Sequence, residues 1–230
     1  MNLMNNLDKA KIEKENRKTL SIRVFPDGNI VIKAPIEATN DEINKFISRK
    51  LLWVSKQLEF FNKFKTCDVI CDASGASILY LGRQYQFITE KSLKNNVVKI
   101  LHNKIILYTN FPKKSDCVQA ALTNWLNMRA TEIFTQQLKQ MIVLFPDMSM
   151  PKLKVRKLNK RWGSYMKNHT IILNPCLIRA SKCAINYVIL HELCHHYYDR
   201  HTKVFYDLLS SKMPNWASVA AKLEEQVLGK

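Results

Sequence analysis

The sequence predicts an α+β protein: an N-terminal antiparallel, β-rich part carrying one helix, followed by a helical part with a small sheet. Two observations carry this. Apolar runs of four or five residues bounded by turn residues occupy much of residues 20–110, whereas from residue 111 apolar residues recur at helical spacing over longer stretches. Two short strand patterns, at 152–157 and 170–173, fall among those helices.

Residues 1–18 are polar and charged without apolar periodicity and read as a flexible tail. Leu20, Ile22 and Val24 then alternate with Ser21, Arg23 and Phe25; the turn Pro26-Asp27-Gly28-Asn29 follows and residues 30–34 run back, giving a β-hairpin. Thr39 and Glu42 form a capping box, and Ile43, Phe46, Ile47, Val54, Leu58 and Phe61 recur at helical spacing to about Asn62. Four apolar runs at 78–81, 85–89, 97–101 and 105–109 suggest an antiparallel meander joined to the first hairpin, with His102 in a turn; 68–77, with Gly75, reads as a loop. This divides the chain into a tail (1–18), a β-rich subdomain (19–110) and a helical subdomain (111–230).

Pro112 and the cap Ser115 open a helix through Val118, Leu122, Trp125, Ile133, Leu138, Met141 and Ile142, which Pro146 stops. In the basic stretch KLKVRKLNKRWGSY (152–165), Leu153, Val155 and Lys157 share one strand face and Lys152, Lys154 and Arg156 the other; Trp162-Gly163-Ser164 breaks the pattern. Gly163 permits close backbone approach or a bulge, and Arg161 and Ser164 are polar groups able to meet a substrate. From spacing alone, a lysine-guarded edge strand is the stronger reading of this stretch. A strand at 170–173 ends at Asn174-Pro175, with His169 in the exposed turn before it. Ser181 caps a helix over 182–198; Thr202 caps the next, whose core face is Val204, Phe205, Leu208 and Leu209. Trp216, Val219, Ala220, Leu223 and Val227 mark a last helix up to Gly229.

At 230 residues and 47% hydrophobic content the chain can bury a core. Lys and Arg outnumber Asp and Glu by 36 to 19, a formal charge of +17, which attracts polyanions such as nucleic acid; a merely soluble basic surface explains it equally well. No apolar run is long enough to cross a bilayer and residues 1–20 lack a secretory core, so the expected location is cytoplasmic. There the six cysteines, Cys67, Cys71, Cys117, Cys176, Cys183 and Cys194, read as free thiols.

Residues 187–206, YVILHELCHHYYDRHTKVFY, hold the clearest chemistry. His191, Glu192 and His195 form H-E-x-x-H: on a helix, positions four apart share a face, so both imidazoles reach one metal ion while Glu192 stands beside them as a base. The apolar residues before and within the motif make this helix buried on most sides, where two imidazoles and a carboxylate are costly without a partner such as a metal ion. His201 follows after five intervening residues, which fits a chain turning back to complete a three-histidine site for one zinc ion, with a position open to water. His196 points about 100° away around the helix and reads as a packing or supporting residue.

RWGSY (161–165), ILNPCLI (172–178), YVILHELCHH (187–196) and RHTKVFY (200–206) together resemble the YgjP-like zinc metallopeptidase family, one of the zincins. The resemblance implies a zincin-like fold for the helical part, His191, His195 and His201 as metal ligands, Glu192 as the catalytic glutamate, and a peptide or protein substrate. It also offers Arg161 and Tyr165 as groups near the oxyanion. Tyr165 stands where the family usually has Cys, Arg200 where Asn is common and Tyr206 where Trp is common; these bear on pocket shape. A more distant similarity, to SprT-like proteases that act on DNA-bound proteins, is analogy of fold and charge only.

The leading expectation is a zinc-dependent hydrolase cleaving peptide bonds, with Glu192 as general base. A second uses the same site on a nucleotide phosphoanhydride, with Lys152, Lys154, Arg156, Lys157, Lys160 and Arg161 gathering phosphates; three histidines, rather than carboxylates with magnesium, weigh against it. A third is a zinc-stabilised basic module that binds nucleic acid or protein without catalysis, and it rests on charge alone.

Overall fold

The structure, a computed structural model, describes residues 10–25, 29–65, 74–93, 96–159 and 161–228. Expectations for the tail before residue 10, the turn at 26–28, the loop at 66–73 with Cys67 and Cys71, Lys160 and Gly229 lie outside these residues, as do the side chains of Phe61 and Val227. The chain divides into two compact units, Met1–Thr66 and Cys67–Lys230.

In the first unit, β2 (Ser21–Val24) and β3 (Ile30–Pro35) form the expected hairpin, closed by Phe25 N–H donating to the Asn29 carbonyl at 2.8 Å. Helix α1 (Asn40–Lys65) starts at the expected capping box: the Thr39 N–H donates to the Glu42 carboxylate at 2.9 Å and the Glu42 N–H to Thr39 Oγ1 at 3.3 Å. Ile43, Val54 and Leu58 turn inward with Val24, Ile30, Ile32 and Ala34 to make the core. One strand was not expected: β1 (Lys11–Glu15) lies in the stretch read as tail and runs parallel to β3. Its single apolar residue, Ile12, is 49% exposed, so no burial pattern announces it; cross-strand charge holds it instead, with Glu13 opposite Lys33 and Lys33 paired to Glu15.

The second unit contains two sheets and four α-helices among the described residues. The first sheet comprises β4 (Ser77–Tyr80), β5 (Arg83–Lys91), β6 (Val97–Leu101) and β7 (Lys104–Thr109) in the order β4-β5-β7-β6. It is not a continuation of the first hairpin, and it is not a meander, because β5 pairs with β7 in parallel. The reason is burial: Ile105, Ile106, Leu107 and Thr109 are buried on both faces of β7, which therefore takes an inner position. The α+β class stands, with mixed rather than purely antiparallel sheets. The β6–β7 turn carries His102 at φ 52°, as expected.

Helix α2 (Ser115–Ile142) is the long predicted helix, although its cap position is Lys114, with Ser115 already helical. It packs on both β7 and α3 (Lys182–Cys194), and so backs the motif helix. Ser181 caps α3, its hydroxyl accepting from the Ala184 N–H at 3.3 Å. The β4–β5 turn holds the approach to that cap: the Leu81 and Gly82 N–H groups donate at 2.9 Å to the carbonyls of Ile178 and Arg179, in the 3₁₀ turn Pro175–Arg179. Gly82 has φ +78°, and a Cβ there would lie 3.0 Å from Ser181 Cβ, so both conformation and contact require glycine.

The second sheet has β8 (Lys152–Val155), β9 (Gly163–Met166) and β10 (Thr170–Leu173) in the order β8-β10-β9, with β9 antiparallel to β10 and β8 parallel to it. The break expected at residues 162–164 is thus the start of an edge strand, whose polar sequence has no alternation to reveal it. Two further helices, α4 (Lys203–Lys212) and α5 (Trp216–Leu228), pack on α3. Thr202 occupies the cap position of α4 without a side-chain cap hydrogen bond. Among the described residues no helix is long and apolar enough to cross a membrane, and Cys117, Cys176, Cys183 and Cys194 form no disulfide with one another.

Candidate metal centre

Helix α3 is buried on most sides, through Ile185, Val188, Ile189, Leu190, Leu193 and Cys194. It ends at Cys194, four residues earlier than its periodicity suggested, because His195 closes it as the cap and residues 195–197 turn away. This early turn brings His201 back to the helix.

The metal-ligating atoms of His191, His195 and His201 all lie within 4.8 Å of one another, and the Nε2 atoms of His191 and His201 are 2.9 Å apart. This is the one such group found among the described residues. The His195 Nδ1–H donates to the Tyr198 carbonyl at 2.9 Å, which fixes its tautomer and leaves Nε2 with a lone pair for a ligand. Burial, reinforced by His195 and His201, pushes His191 down to about 3, and burial also lowers His201, so the proton that would compete with a metal is kept off both. Three close-set nitrogen donors of this kind fit a borderline transition ion better than magnesium or calcium, which prefer oxygen.

Phe205 forms the floor. It is fully buried on α4, and its ring centroid lies 5.0, 4.9 and 4.8 Å from those of His191, His195 and His201. On one side, Trp216 is stacked between Tyr187 at 6.4 Å and Tyr206 at 5.1 Å, and its indole N–H donates to Ser210 Oγ at 2.9 Å. Tyr187 touches His191 and Tyr206 touches His201, so α5 braces the imidazoles through this stack.

Glu192 is 7% exposed. Burial pushes its carboxyl up to about 7, against the downward pull of the Tyr165 backbone N–H, which hydrogen-bonds to it, and of the Arg161 charge. Such a group exchanges a proton near neutrality, as a general base must. The sequence allowed for close backbone approach at Gly163, and the approach is to this side chain: a Cβ on Gly163 would lie 2.7 Å from Glu192 Cγ and 2.8 Å from Oε1. Restoring an ordinary carbon contact of about 3.5 Å would move Glu192 by close to an ångström. Gly163→Ala is therefore expected to lower kcat by roughly 10²-fold while leaving most of the fold intact; a fluorescence melt alongside turnover measurements checks both halves.

These groups share a cleft of about 650 Å³ that also includes Arg161, Ser164, Tyr165, Lys167, His169, His196 and Asp199. The structure thus brings together the residues expected at a peptidase site, His191, Glu192, His195, His201, Arg161, Ser164 and Tyr165, whereas of the described basic residues expected to gather phosphates only Arg161 lines the cleft. Three further residues had not stood out. Asn174, 1% exposed, donates through Nδ2 to the Leu158 carbonyl at 2.8 Å and accepts from the Cys176 N–H at 3.2 Å, pinning the segment before β9. His169 is half-buried rather than exposed, because φ 57° in the β9–β10 turn carries its ring back onto Tyr165. Phe205 had read only as core. Of these, Asn174 lies in the ILNPCLI run and Phe205 in the RHTKVFY run that carry the family resemblance; His169 gives no signal beyond residue type.

No curated protein matches the chain. Among solved structures, the metallopeptidase zymogen abylysin of Pyrococcus abyssi aligns at 16% identity and a TM-score of 0.39, over 42% of this chain and 97% of that one. The zymogen jannalysin of Methanocaldococcus jannaschii aligns at 16% and 0.36, over 40% and 94%. The family model "YgjP-like, metallopeptidase domain" matches residues 18–226, nearly the whole chain. The chain therefore belongs to the YgjP-like metallopeptidase family and is a metallopeptidase-type hydrolase.

Proposed function

We propose that the protein is a zinc-dependent peptidase in which His191, His195 and His201 hold one zinc ion and Glu192 is the general base. The observation that carries this is the convergence of three imidazoles on one point beside a buried carboxyl whose proton affinity burial has raised. A zinc ion there supplies a Lewis acid that polarises a carbonyl and brings the pKa of water toward neutrality. Glu192 takes the proton from the attacking water and returns it to the leaving amine. The Tyr165 N–H holds the carboxylate in place between those events, and Gly163 gives it room.

Strand β9 offers a place for the substrate chain. Trp162 opposite Asn174 is a hydrogen-bonded pair with β10, the Trp162 carbonyl accepting from Asn174 N–H at 2.8 Å. By antiparallel alternation, Gly163 and Tyr165 then turn their backbone groups away from β10, toward the open edge and Glu192. An extended peptide added along this edge would pass the histidines, with Arg161, Ser164 and Tyr165 forming the wall it meets.

An all-nitrogen donor set favours this reading over phosphoanhydride hydrolysis, and nothing among the described residues adds to the charge-based expectation of nucleic-acid binding. The test is a panel of an unstructured protein and nucleoside triphosphates, offered to the protein stripped of metal and then reloaded with zinc. Zinc-dependent cleavage of the protein alone is the expected result. Phosphate release without peptide cleavage would sink the reading.

A further inference from the structure

The Tyr165 hydroxyl lies 2.6 Å from Nδ1 of His169 and 2.8 Å from Nδ1 of His196, and Nε2 of His169 lies 2.9 Å from the Ser149 carbonyl and 3.0 Å from the Ser149 hydroxyl. The chemistry of the groups sets the direction of each bond. A carbonyl only accepts, so a neutral His169 carries its proton on Nε2. Its Nδ1 is then a bare lone pair, and Tyr165 must donate to it. Having spent its one proton, the phenol oxygen accepts from His196, whose proton is thereby on Nδ1.

This chain ties together parts of the fold that the site depends on. Ser149 lies between α2 and β8, His169 in the β9–β10 turn and Tyr165 on β9; His196 directly follows the ligand candidate His195. The three rings meet edge-on, with centroids 5.6–6.1 Å apart. The residue at its centre, Tyr165, also hydrogen-bonds the Glu192 carboxylate through its backbone N–H. Because the phenol proton is committed to His169, it is not available to an oxyanion.

We propose that Tyr165, His169 and His196 are positioning residues: their hydrogen-bonded chain holds the β9 backbone against Glu192 and fixes the turn after His195, so that base and ligands stay aimed at one point. The kinetic half of the test rests on the peptidase reading; the spectroscopic half does not. In long-range ¹H–¹⁵N spectra of the full, zinc-loaded chain in mildly alkaline buffer, His169 is expected as the Nε2–H tautomer and His196 as the Nδ1–H tautomer. In Tyr165→Phe, His196 should relax to a tautomer mixture. Both rings as Nε2–H in the unmutated protein would overturn the proposal, whether or not any hydrolysis is found.

In turnover, Tyr165→Phe is expected to lower kcat about 10-fold or more, as when outer partners of a metal site are removed, with KM and zinc content unchanged. His169→Ala should do the same, and the double variant should lose no more than the worse single variant. His196→Asn, which keeps an N–H near the Nδ1 position, should retain activity that His196→Ala loses. If Tyr165 instead donates to the reacting oxygen, His169→Ala would leave kcat near normal while Tyr165→Phe cut it. That outcome overturns the proposal, as would two zinc ions per chain of which Tyr165→Phe removes one.

Discussion

Glu192→Gln is expected to cut turnover on an unstructured protein by about 10²–10⁴-fold, the range that a positioned general base supplies, while zinc and fold remain. The amide has the shape of the carboxyl, so the close contact with Gly163 is kept, and its oxygen still accepts from the Tyr165 N–H. It cannot take a proton from water. It also removes a strain the native residue carries, since the 7%-exposed carboxyl ionises against its burial. In the metal-free protein this has a definite sign. The folded carboxyl titrates at about 7 instead of 4.5, so between those values the folded state binds more protons than the unfolded one. Stability of the unsubstituted protein should therefore fall across that window as pH rises, and Glu192→Gln should not show this loss. Zinc content, kcat and melts across pH check the three statements, and a variant that keeps full activity would remove Glu192 from the mechanism.

The second large effect is expected from His201→Ala, and it should depend on metal. His201 is exposed and sits in the connection between α3 and α4, so its loss costs the metal-free fold little. With zinc at 100 times its dissociation constant, binding stabilises the unsubstituted chain by about 2.7 kcal/mol, which for a chain of this size raises the melting temperature by roughly 5–10 °C. The two proteins should melt together when stripped and apart when reloaded, and the variant should lose all measurable hydrolysis. Equal zinc-induced shifts would show that His201 is not a ligand. Differential scanning fluorimetry with and without chelator gives this comparison directly.

Much of the site was legible because its residues are spaced by the geometry of one helix. His191, Glu192 and His195 follow the helical period, Ser181 is a cap by chemistry, and a glycine at 163 signals either a bulge or a close approach, of which the structure has the second. What stayed hidden is held by pairing rather than periodicity. Strand β1 rests on Glu13 facing Lys33, the parallel β5–β7 pairing follows from a strand buried on both faces, and β9 has no apolar alternation. The contact of His169 with Tyr165 depends on a single left-handed turn residue, and the meeting of Phe205 with all three imidazoles depends on where α3 stops. Neither is written in local residue patterns.

Strand β9 is an edge strand among the described residues, and an open edge bears on self-association. An unpaired strand beside a cleft can recruit any extended chain, including another copy. Here the edge is only four residues long, Gly163–Met166, with exposed Arg161 and Lys167 just beyond its ends. Two such edges brought together would set cation against cation, whereas a single peptide strand of neutral or acidic character meets no such opposition. Under the proposed function, the same few residues would admit a guest chain and oppose a second copy.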